Sequence, residues 1–111
     1  MAFSFAALRV YDLGYVEVDK TQRSKLSPSE IASIKTAEVI KNPDYRSKEI
    51  KCTLQNGGTV YLKLSTKSQF EIGDNVDLSK CTAQELVHPA NGDIIHRFIE
   101  DSLLDKDEEQ K

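Results

Sequence analysis

The run Glu49–Ser65, EIKCTLQNGGTVYLKLS, limits the fold more than any other stretch of the chain. Ile50, Cys52 and Leu54 alternate with Lys51, Thr53 and Gln55. After a short interruption, Val60, Leu62 and Leu64 alternate with Tyr61, Lys63 and Ser65. Period-2 alternation is the pattern of strands with one buried face, and Asn56-Gly57-Gly58 supplies residues that tolerate the positive φ of a tight hairpin loop. The expectation is a β-hairpin with its aliphatic side chains and Cys52 turned inward. Lys51, Thr53, Tyr61 and Lys63 then share the outer face. A one-residue slip would carry Lys51 and Lys63 into the core, so the register is strongly set. The plain reading of the outer face is a solvated surface where a tyrosine packs on lysine stems. The sharper reading is a platform for a polyanion, with a ring available for stacking.

A chain of 111 residues that is 39% hydrophobic and 30% charged reads as one globular domain with a single core. The expected domain spans residues 1–104, with 1–26 docking on a barrel core at 34–100 and 105–111 forming an acidic, disordered tail. The net charge of −3 names no partner, but it hides an asymmetry. Residues 41–67 carry six basic side chains (Lys41, Arg46, Lys48, Lys51, Lys63, Lys67) against Asp44 and Glu49, a local +4. Residues 100–111 carry six acids against Lys106 and Lys111, a local −4.

Phe3, Phe5, Leu8, Val10, Leu13, Val16 and Val18 fit two short strands, about 3–11 and 14–19; a helix over Phe5–Leu13 is the rival. The N-terminus lacks the basic region and long apolar run of a signal peptide, and no segment has membrane-spanning length. Ser27-Pro28-Ser29-Glu30 predicts a capped helical turn over about 28–33, followed by a strand at 35–41. Asn42-Pro43-Asp44 predicts the next turn. Phe70–Leu78, with Gly73 inside it, is expected to turn into a barrel strand. Thr82–His88 reads as a strand and Ala90–Asp93 as a turn. Ile94–Glu100 is read as a second strand, although Ile94, Ile95, Phe98 and Ile99 also fit one helix face. The sum is a mainly β domain: a small five- or six-stranded barrel with one short helix.

No P-loop, dinucleotide fingerprint or nucleophile elbow is present. His88 and His96 could face each other across the last hairpin, with Asp93 or Glu100 as a third ligand, but two sheet-surface histidines are the plainer reading. Asp74 and Asp77 flank a turn, where acids normally accept from backbone amides. Cys52 and Cys81 have no metal-ligand spacing; reduced thiols in a cytoplasmic protein are the simplest reading. The expectation is therefore no catalysis, no cofactor and no metal, so function has to be sought on a surface.

The strand pattern over Ile34–Glu100 resembles the OB-fold. The residues that carry it are IKTAEVIKNPDYRSKEIKCTLQNGGTVYLKL, then FEIGDNVDL and the ANGDIIHRF turn. The usual helix after the third strand is missing, which leaves an SH3-like barrel open. The resemblance implies single-stranded nucleic acid on the outer face of the hairpin, bound by Lys51, Tyr61 and Lys63, with Tyr45, Arg46, Lys48 and Lys67 extending the path. It also likens the acidic tail to those of single-strand-binding proteins, against the plain reading of a solvating charge run. The alternative is a protein-interaction or assembly module of a phage or mobile genetic element, acting as a homo-oligomer. That module would contact a second copy or another protein through the apolar N-terminus or the tail.

Overall fold

A computed structural model describes residues 15–42 and 48–104. Among them, six strands form two antiparallel sheets: β1 (Val16–Glu17), β5 (Cys81–Val87) and β6 (Ile94–Glu100) in the order β1-β5-β6, and β2 (Ile34–Lys41), β3 (Lys48–Leu54) and β4 (Thr59–Lys63) in the order β2-β3-β4. The expected strand at 3–11, its helical rival and the tail at 105–111 lie outside the described residues.

The predicted hairpin forms in the predicted register, with Ile50 opposite Leu62, Lys51 opposite Tyr61 and Cys52 opposite Val60. Gly57 adopts φ +92°, while the Asn56 side chain accepts the Gly58 N–H at 2.8 Å and closes the loop. Ile50 and Cys52 are buried at 0% and 1% exposure, whereas Tyr61 stands 55% exposed.

Helix α1 (Pro28–Ala32) begins with the anticipated capping box: the Glu30 N–H donates to the Ser27 hydroxyl, and the Ser27 N–H donates to the Glu30 carboxylate. The Gln55 N–H donates to the Ser33 carbonyl and ties the end of α1 to the hairpin. β2 then enters through a bulge between Ile34 and Thr36, which turns both Ile34 and Ala37 toward the core despite their odd spacing.

Ala37, Val39, Ile50, Cys52 and Leu64 from one sheet meet Cys81, Ala83 and Phe98 from the other, with Val76 and Leu78 from the connection. Leu86 and Ile99 are also buried, but on the opposite face of β5–β6, as their register with Ile95 and Thr82 requires. Residues 15–25 run beside β5. Val16 pairs with Val87, Ser24 bridges Ala83, and Arg23 grips Glu17 through two hydrogen bonds of 2.9 and 3.0 Å. The second expected strand is thus only Val16–Glu17, interrupted by a 3-10 turn at Lys20–Gln22 that Asp19 caps.

Two expectations and one minor possibility need correction. First, no closed barrel is found among the described residues. The sheets are joined between β4 and β6 by one parallel bridge, Leu64 to Phe98, with the Ser65 N–H on the Phe98 carbonyl. Second, Phe70–Leu78 does not lead into a strand at its own end. Gly73 (φ +95°) turns the chain so that 73–76 caps the far edge of β2, with bonds between Val39 and both Gly73 and Asp74 and between Ala37 and Val76. A 3-10 turn at Leu78–Lys80 follows. Third, His88 and His96 do not face each other. His96 lies opposite Glu85, on the face that His88 does not share. The ambiguous Ile94–Glu100 segment is a strand, and a single helical turn at 101–104 continues from it.

Candidate nucleic-acid interface

The outer face of β2-β3-β4 is assembled by strand parity. Cross-strand register places Glu38, Lys51 and Tyr61 in one row, and Ile40, Glu49 and Lys63 in the next. Lys51, Tyr61 and Lys63 are brought together and all three are exposed. The face is mixed in charge rather than basic, because Glu38 and Glu49 share it. The alternation of Thr36, Glu38 and Ile40 is visible in the sequence. Their placement beside the lysines depends on cross-strand register, which is not.

Neither acid neutralises a lysine, however. The Glu49 carboxylate accepts from the Asn42 amide at 3.1 Å, and no ion pair holds Lys51, Lys63 or Lys67 among the described residues. Lys67 is exposed in the turn after β4. Lys48 is committed elsewhere: it stands on the inner parity of β3, and its ammonium donates to the Phe70 carbonyl at 2.6 Å, pinning the 65–75 connection to the sheet. Tyr45 and Arg46 lie outside the described residues.

The histidines are engaged locally. His88 Nδ1 accepts the Ala90 N–H, and its ring packs edge-on against Tyr15 at 5.1 Å, with Arg97 over the same tyrosine. His96 lies 3.3 Å from the Glu85 carboxylate. No group of three or more metal-ligating side chains occurs among the described residues. Asp74 accepts the Glu71 N–H and Asp77 the Ser79 N–H, so both act as turn acceptors. The hydrogen bonds from Ser79 hold the Asp77 carboxyl below its ordinary value. Cys52 and Cys81 are buried, free thiols. A separate cleft of about 530 Å³ opens between Phe70, Lys80, Glu100 and Asp101, and it contains none of the predicted binding residues. No described helix is long and apolar enough to cross a membrane.

The arrangement can present ammonium groups without an ion pair among the described residues, and one flat exposed ring, along the sheet face. Compared with known proteins, the chain matches no family, no curated relative and no solved structure.

Proposed function

We propose that this protein is a non-enzymatic binding module that takes single-stranded nucleic acid across the outer face of β3 and β4. The observation that carries the reading is the cross-strand pair Lys51–Tyr61, with Lys63 and Lys67 beyond it, none of these ammonium groups in an ion pair among the described residues and the ring 55% exposed. The order β2-β3-β4-β6-β5, opened between β4 and β6, is consistent with a partly open five-stranded barrel of the OB kind, in which the second and third strands carry the ligand. β3 and β4 occupy those places. A base would stack on Tyr61 while Lys51, Lys63 and Lys67 accompany the phosphates.

The test is the anisotropy of a fluorescent oligo-dT titrated at a low and a moderate salt concentration. Three phosphate contacts on a single strand give a slope of log K against log salt of about −2. No binding at low salt, or binding indifferent to salt, overturns the reading.

A further inference from the structure

Among the described residues, the sheet edge that β4 presents lacks a partner along most of its length. In the β3–β4 ladder, the Leu54 N–H bonds to Gly58 and the Leu64 N–H to Lys48, so alternate residues Val60 and Leu62 face β3. The backbone groups of Thr59, Tyr61 and Lys63 therefore point away; the bridge between Leu64 and Phe98 engages the Lys63 carbonyl, and no described bridge reaches Thr59 or Tyr61. Across from them, Ile94 and His96 of β6 also turn their backbone groups away from β5, as the Ser65–Phe98 bond on the same side shows. β4 and β6 meet at the bridge between Leu64 and Phe98, and upstream of it no further bridge joins them among the described residues. Val60 and Ile94 belong by parity to the core face, yet they are 41% and 57% exposed. The other edge of this sheet, at β2, is covered by residues 73–76.

We propose that the open edge of β4 is a strand-addition site for an extended peptide alternating apolar with acidic side chains. An added strand there bonds to Thr59 and Tyr61 and puts every second side chain against Val60 and Leu62, which calls for apolar groups. Its other side chains emerge beside Tyr61 and Lys63, with Lys51 one strand further on across Tyr61; neither lysine has an ion pair among the described residues, which calls for carboxylates and disfavours an equally basic strand. This goes beyond nucleic-acid binding, because it uses the backbone edge rather than the sheet face.

The test adds an end-blocked peptide of alternating glutamate and valine to the full chain, without nucleic acid, and follows amide exchange. Exchange at Thr59 and Tyr61 should slow by about tenfold or more. A peptide with lysine for glutamate should fail to do this. Thr59→Pro should weaken the effect while leaving oligo-dT binding intact, since an edge strand accepts proline at its first residue when the N–H faces outward. Three results overturn the proposal: peptide binding without protection of these amides, equal protection by the lysine peptide, or amides already protected in the free protein. In the last case, protection lost on dilution would assign the edge to a second copy, and concentration-independent protection to the chain itself.

Discussion

Glu49 stands directly across the sheet from Lys63, yet its carboxylate is drawn sideways to the Asn42 amide 3.1 Å away. Among the described residues Lys63 is left without an ion pair, although an acid is its nearest cross-strand neighbour. Glu49→Gln keeps an acceptor for Asn42 and removes one negative charge from the face. Oligo-dT should then bind about two- to fivefold tighter at low salt, the scale of one solvent-screened charge contact. Unchanged or weaker binding in the anisotropy titration would place the phosphate path elsewhere.

Tyr61 separates stacking from charge. Tyr61→Ala should weaken oligo-dT binding by about 1–3 kcal/mol and barely alter the salt slope, because no phosphate contact is lost. Lys51→Glu with Lys63→Glu should flatten the slope by about 1.4 units, two contacts' worth. All three side chains are exposed, so the urea midpoints should stay close to wild type. A variant that binds normally removes its residue from the site.

The hairpin was legible in the sequence because three local signals agree there: period-2 alternation, an Asn-Gly loop and aliphatic rather than charged inward positions. The capping box of α1 was legible for the same reason. The rest depends on contacts between distant residues. Nothing local to Lys48 announces that it reaches the Phe70 carbonyl, and nothing near Gly73 announces that the following residues lie along β2. The mixed charge of the candidate face has the same origin, since Glu38 joins it only through the β2–β3 register. Whether the barrel closes turns on how far β4 and β6 run together, and a single bridge decides it.

The two thiols should destabilise the fold at alkaline pH. Burial first, then the Glu100 and Asp101 carboxylates, push the Cys81 thiol up to about 11, and burial raises Cys52 as well. A folded pKa above the unfolded value, about 8.5, means that this stabilisation is full below that value and is lost as pH rises toward the folded one. Between pH 8 and pH 10.5 the urea midpoint should fall more for the wild type than for Cys81→Ala. In native protein at pH 8, neither thiol should react with a disulfide reagent at the rate seen after unfolding. Rapid native labelling of Cys81 would contradict its burial.

Asp101 acts at the opposite end of the pH scale. Burial draws its carboxyl upward, but hydrogen bonds from Lys25 at 2.8 Å and the Thr82 hydroxyl at 2.5 Å outweigh this and hold it below its ordinary value. Stability from this group is present above the unfolded value, about 3.9, and is lost as pH falls through the folded one. The carboxylate is 39% exposed, so solvent screening keeps the cost of Asp101→Asn at pH 7 to about 1 kcal/mol or less. That difference from wild type should shrink at pH 3. A cost that persists there would assign the role of Asp101 to shape rather than charge.

Ile50 and Val60 sit on adjacent strands with the same inward parity, but one is 0% and the other 41% exposed. Ile50→Ala removes methyl and methylene groups from the centre of the core and should cost about 2–5 kcal/mol of unfolding free energy. Val60→Ala should cost about 1 kcal/mol or less, since much of its side chain already meets water and strand preference accounts for the remainder. The contrast measures the opening between β4 and β6. If Val60→Ala instead proves as costly as Ile50→Ala in urea unfolding, the inner side of β4 is covered in solution. The edge of β4 would then already be occupied, and a free peptide would find no place on it.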